Sequence, residues 1–121
     1  MLKEERLKTT WPWPEHLDAL IADPEHHQLL LENEYVRVLD VMIRPGEITE
    51  LHTHQWPATL YVQSWSDFLR YDEKGAIVVD TRKMNIEKPP SIVWSEALPP
   101  HKLKNTGDRE LHVISVEIKY A

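Results

Sequence analysis

Short stretches of β-branched, aromatic and alternating residues recur along this chain, and the turn-forming residues between them leave little room for any other kind of element. Residues 27–31, 35–43, 48–54, 58–64 and 67–71 have this character, and residues 76–81, 91–95, 101–104 and 111–119 complete the set. The breaks carry turn chemistry: Glu32-Asn33-Glu34, Arg44-Pro45-Gly46 and Asp72-Glu73-Lys74-Gly75, the last reading as the clearest hairpin because a glycine is available for positive φ. Loops around Pro89-Pro90, Pro99-Pro100 and Thr106-Gly107-Asp108 separate the later segments. About nine short strands at this spacing predict an all-β sandwich or barrel.

Before the first strand, Pro14 suits a first helical turn and Leu17, Leu20 and Ile21 then share one face, which predicts a short helix over 14–22. Asp23-Pro24 ends it, since a residue before proline avoids the helical region. Residues 1–24 read as an N-terminal extension and 25–121 as a single barrel domain, with no repeat, low-complexity tract or linker. At 121 residues the chain can bury roughly two-thirds of its unfolded surface, enough for a core without staples.

The chain has no cysteine, which excludes disulfides, thiolate metal sites and cysteine nucleophiles and leaves His, Asp and Glu as metal ligands. A formal charge of -6 argues against nucleic acid as a partner, and no apolar run approaches a bilayer span. The N-terminal residues lack the apolar stretch of a secretory signal, so a cytoplasmic location is expected. There is no Gly-rich phosphate loop, no Gly-X-Ser-X-Gly elbow and no dinucleotide fingerprint. Small molecules are the expected partners.

Within residues 46–54, His52 and His54 stand two apart near a strand end. Residues i and i+2 of a strand point to one face, so the two imidazoles enter one space at a separation that a metal ion can bridge. Spacing alone leaves a metal site and a chance pair on an exposed strand equally open. His101, which follows Pro99-Pro100 and opens a later strand, is the candidate third ligand.

Gly46, five residues, then His52-Thr53-His54 resembles the first motif of the cupin superfamily without a gap, and His101 with Asn105 matches the ending of its second motif. The resemblance implies a small RmlC-like jelly-roll barrel, a double-stranded β-helix, with a metal held by His52, His54 and His101. The chain departs from the family where a glutamate or glutamine ligand is expected after the first motif, since Ala58 and Thr59 stand there, and where Pro-X-Gly is expected before the third histidine, since Glu96 and Leu98 stand there. Three histidines without a carboxylate are similar to the arrangement in cysteine dioxygenase and the diketone-cleaving dioxygenases. That likeness implies a dioxygenase-type enzyme with one divalent ion per chain, iron(II) being favoured and zinc, nickel, manganese or copper also suited, acting on a small organic substrate that chelates the metal. The alternative from a different class is a non-catalytic cupin that binds a small ligand as sensor or carrier. The family's habit of pairing implies a homodimer, with Trp11 and Trp13 as contacts.

Further candidates surround this constellation. Glu50 shares the His52 and His54 face by period two, as a fourth ligand or as an acceptor for an imidazole N–H. Trp56, Tyr61 and Trp94, with Trp65, are heavy aromatic residues suited to pocket walls and equally to a core, Trp56 being the best placed for a pocket. The last strand has two plausible faces. Glu117 serves as base or imidazole acceptor if its face is inward; the outward reading is preferred here, with His112 packed in the core. His26 and His27 read as surface residues after a proline turn, placed where a terminal segment could reach a neighbouring subunit, and Asn105 as a structural residue that holds a strand end.

Overall fold

Side chains alternate between the faces of a strand, and residues 36–43 use that period to turn Arg37, Leu39, Val41 and Ile43 to one side. In the computed structural model, which describes residues 11–119, this segment is the second strand of a five-stranded antiparallel sheet. The sheet runs β1 (His27–Glu32), β2 (Val36–Ile43), β9 (Leu111–Ile118), β4 (Ala58–Ser64) and β7 (Ile92–Ser95). The pairing of β2 with β9 is unbroken from Val36 opposite Ile118 to Ile43 opposite Leu111, and it brings Arg37, Leu39, Val41 and Ile43 level with Glu117, Ser115, Val113 and Leu111. A second antiparallel sheet runs β3 (His52–His54), β8 (Leu98–Asn105), β5 (Phe68–Asp72) and β6 (Ile77–Asp80). The two sheets face each other across a cavity of about 320 Å³ that both of them line.

All nine predicted strands are present among the described residues, and two differ by more than one residue at an end. The segment 48–54 keeps only His52–His54 as strand, with Ile48 in an isolated bridge to Lys104. The reason is local capture of the ladder groups: Thr49 Oγ1 accepts from Leu103 N at 2.9 Å, and Glu50 N donates to the Asp23 carboxylate at 3.1 Å. Conversely β8 begins three residues earlier than 101–104 and runs through Pro99-Pro100, which the register shift between His52 and His54 accommodates.

The helix expected over 14–22 is broken at Asp18. A 3-10 turn covers Glu15–Leu17 and a single α-turn, α1, covers Ala19–Ala22. Asp18 itself is extended, and its carboxylate accepts from Leu20 N, the N-cap preference that outweighs helix continuation here. The 72–75 turn closes as expected: Gly75 has φ +85, and Asp72 Oδ1 accepts from Lys74 N and Ala76 N.

Asn105 is fully buried, with its side-chain nitrogen donating to the carbonyls of Ile43 and Arg109 while its oxygen accepts from Ser66 Oγ and Gly107 N. Every hydrogen bond available to the amide is thereby used, which ties the end of β8 to β2 and to the 106–110 loop.

Candidate metal centre

Pairing between β3 and β8 sets His52 directly opposite His101, and the turn of β3 brings His54 to the same cavity. The ring centroids of His52 and His101 lie 4.3 Å apart, those of His52 and His54 5.0 Å, and those of His54 and His101 5.6 Å. The two motif histidines and His101 therefore meet in one space, each lining the cavity.

A fourth histidine joins them. His27 opens β1 opposite Val41, and its ring lies 4.8 Å from that of His52 and 5.3 Å from that of His54. The reading of His26 and His27 as surface residues is thus overturned: both are buried, and His27 faces the cavity. The physical reason is an inversion of expectation along β1, where the apolar Leu29, Leu30 and Leu31 lie on an exposed edge and only the strand's first residue is buried. One signal was available in the Asp23, His26, His27 spacing. Asp23 is a buried hub that accepts from His26 Nδ1 at 3.0 Å through its carboxylate and from His27 Nδ1 at 3.0 Å through its carbonyl. Nitrogen atoms of His27, His52 and His54 lie within 4.8 Å of one another, a group that can hold a metal ion.

Hydrogen bonds decide which nitrogen of each ring is free. His27 Nδ1 donates to Asp23 O, His52 Nδ1 to Glu50 O at 2.7 Å, His101 Nδ1 to Pro99 O at 2.8 Å, and His54 Nδ1 to Glu117 Oε2 at 3.0 Å. Backbone carbonyls and an ionised carboxylate only accept, so each Nδ1 carries a proton and Nε2 is the nitrogen of each ring left for a metal. None of the four Nε2 atoms makes a hydrogen bond with a described residue. The three lone pairs of His27, His52 and His54, with an outer acceptor fixing each ring, form a donor set that imidazole-binding divalent metals can take, and His101 lines the same cavity outside that group.

Burial also keeps the rings of His52, His54 and His101 neutral. It pushes His52 far below the ordinary histidine range, helped by His101, His54 and His27, and pushes His101 down to about 3, with His54 and then Arg70 adding to the effect. His54 is likewise lowered, by burial first, although Glu117 opposes the shift. Burial alone would push Glu117 up, but hydrogen bonds from His54 and Arg37 reverse that and hold it ionised.

Below the ordinary histidine value of 6.5 the unfolded chain takes up protons that folded His101 refuses until about 3, and Glu117, held below its ordinary 4.5, adds a loss of the same sign at lower pH. Metal-free protein is therefore expected to lose about 1.4 kcal/mol per pH unit for each such histidine as the pH falls below 6.5. Urea titrations at pH 7.5, 6 and 5 check this; a stability unchanged across the series overturns it.

Glu117 is inward and fully buried, contrary to the outward preference, and His112 is on the outer face, its Nε2 2.6 Å from Asp40 Oδ1. The β2–β9 register decides the matter, because it pairs Glu117 with Arg37 and His112 with Met42. Arg37 Nε donates to Glu117 Oε1 at 2.5 Å, and its two terminal nitrogens grip Asp18 at 2.9 Å each. Ala58, where the family's carboxylate is expected, lies opposite Glu117 across the β4–β9 pair. The carboxylate of this corner comes from β9 instead, and it is spent on His54 and Arg37.

Of the other candidates, Glu50 is exposed and takes part through its backbone, its carbonyl accepting from His52 Nδ1 and its N–H donating to Asp23. Trp56 lines the cavity, with the Arg37 guanidinium 5.1 Å from its ring centroid, and Trp65 lines it too. Tyr61 and Trp94 do not. Both are on the outer face, 42% and 51% exposed, because Leu60 and Val62 of β4 and Val93 of β7 take the inward positions.

No protein-family model and no curated protein sequence matches this chain. Solved structures do. A cupin domain from Bordetella pertussis superposes with a TM-score of 0.57 at 18% identity, over 76% of this chain and 90% of that one. An RmlC-like cupin with a double-stranded β-helix fold from Methanocaldococcus jannaschii gives 0.55 at 15% identity, over 76% and 77%. A protein with a double-stranded β-helix domain from Klebsiella pneumoniae gives 0.54 at 18% identity, over 77% and 70%. Among the described residues no helix is long and apolar enough to cross a membrane. With two antiparallel sheets closing on a histidine-lined cavity behind a short N-terminal helix, the chain has the RmlC-like cupin fold, a double-stranded β-helix.

Proposed function

We propose that the protein is a metal-dependent enzyme of the oxygenase type, in which His52, His54 and His101, joined by His27, hold one divalent ion, iron(II) by preference. The observation that carries this reading is the four Nε2 atoms left free in one cavity while every Nδ1 is committed to an acceptor. Neutral ligands leave the charge of the ion uncancelled, which favours an anionic small molecule as substrate. Iron(II) bound there supplies an orienting template and an electron conduit for O2 chemistry. The chain's own residues position and exclude: Glu117 fixes the plane of His54, and walls such as Leu60, Val62 and Val113 keep water out.

A non-catalytic carrier or sensor is favoured by one observation. Glu117 is locked by Arg37 and His54, and Glu96 is exposed and accepts from the Trp94 indole N–H, so no described carboxylate on the cavity wall is free for proton transfer.

Elemental analysis of purified protein, followed by oxygen-electrode measurements on iron-loaded protein with thiols, diketones and phenolic acids, tests both. Near one equivalent of metal with metal-dependent O2 uptake is the expected result. Bound metal with melting shifts but no O2 uptake favours the carrier, and failure to retain metal after loading sinks the centre.

A further inference from the structure

Arg70 is the one cation on the cavity wall whose charge has no counterpart among the described residues. It sits mid-sheet on β5, opposite Leu103 of β8 and Val79 of β6, and both of these neighbours line the cavity with it. Its guanidinium makes no hydrogen bond or ion pair with a described residue, whereas Arg37, the other arginine of the interior, has two carboxylates. Carboxylates near β5 are engaged elsewhere: Asp72 Oδ1 with the hairpin amides, Asp67 with Thr81, Asp80 with Arg82 N, and Glu117 with Arg37 and His54. A half-buried cation among apolar walls is costly unless an anion meets it.

We propose that Arg70 is the docking group for a carboxylate on a ligand whose apolar body fills the rest of the cavity. A guanidinium fork matches a carboxylate with two parallel hydrogen bonds. The cavity is at the small end of ligand sites, which span about 300–1,000 Å³, and its walls beyond Arg70 and the histidines include Leu60, Val62, Phe68, Val93 and Val113. A phosphate ester fits less well, because no second cation stands beside Arg70 on the wall: Lys102 and Lys104 are exposed and outside it. Arg70 and His101 line the same cavity. Burial lowers the proton affinity of Arg70, consistent with a charge held out of water. This inference deepens the reading of the site as one for an anionic small molecule, and it does not need the metal.

The test therefore uses chelator-treated protein. Wild type, Arg70→Met and Arg70→Lys are titrated calorimetrically with straight-chain monocarboxylates from acetate to octanoate, with benzoate and phenylacetate, with the corresponding primary amides, and with inorganic phosphate. The best carboxylate is expected to bind wild type about tenfold or more tightly than its amide, the loss associated with one charge-assisted pair. Arg70→Met is expected to abolish that preference and Arg70→Lys to keep part of it. In the absence of ligand Arg70→Met melts no lower than wild type, because an unpaired buried charge has been removed, and this shows that the lost binding is not lost folding. No binding across the carboxylates, phosphate binding more tightly than all of them, or an unchanged preference in Arg70→Met overturns the proposal. Metal content of the same proteins is measured in parallel, so failure of the metal centre appears there and leaves the carboxylate result readable.

Discussion

Replacing His52 and His54 together with alanine is expected to bring bound metal from near one equivalent per chain to background. Both rings present Nε2 to the cavity with Nδ1 held by Glu50 O and Glu117, so no local rearrangement of the remaining chain restores the two lost donors. Loss of even an outer hydrogen-bond partner costs metal sites roughly 10–100-fold in affinity, and loss of two direct ligands costs more. The single variants separate the roles. His27→Ala and His101→Ala each leave three imidazoles, and each is expected to retain metal with weakened affinity, measured by competition against a chromogenic chelator. Unchanged metal content in the double variant removes the site. Full affinity in His27→Ala alone restricts it to the three histidines that the motifs mark.

Arg37→Met is expected to be the most destabilising single change, by about 3–5 kcal/mol, the range for breaking a buried ion pair and leaving one charge behind. Arg37 is 5% exposed and Glu117 fully buried, with Asp18 completing the chain of charges. Burial alone would ease the proton off Arg37, but the hydrogen bonds it donates to Asp18 and Glu117 hold it on more firmly than usual. Removing the guanidinium strands Glu117 as a carboxylate with only His54 to meet it. The melting temperature should fall by roughly 10 °C or more for a domain of this size. Adding Glu117→Leu to Arg37→Met removes the stranded charge and should recover part of the loss. A melting temperature within about 2 °C of wild type for Arg37→Met means that Glu117 is not a buried charge in the folded protein.

Much of the architecture can be read locally. The nine strands and the 72–75 hairpin follow from period-two alternation and turn residues, properties of contiguous sequence. His52-X-His54 is legible for the same reason, since neighbours two apart on a strand share a face wherever the strand goes. Where two faces are equally apolar, alternation supplies no phase: β9 offers His112, Ile114, Val116 and Ile118 on one side and Val113, Ser115 and Glu117 on the other. Only the pairing of β9 with β2 and β4 turned Glu117 inward and His112 outward, and the same inward demand sent Tyr61 and Trp94 to the surface.

His27 shows the limit most clearly. It stands twenty-five residues before His52, in a strand whose apolar residues are exposed, and it reaches the site because β1 pairs with β2 at Val41 and Asp23 anchors its ring. The sequence by itself determined the strands, their turns and the pair of histidines, because each depends on residues adjacent along the chain. Only the tertiary structure decided that His101 and His27 join them, that Ala58 lies opposite a carboxylate from β9, and that Arg70 stands on the cavity wall unpaired by any described residue. Those facts rest on contacts between strands far apart in sequence, and the free energy of such contacts is set by what the fold brings together and removes from water.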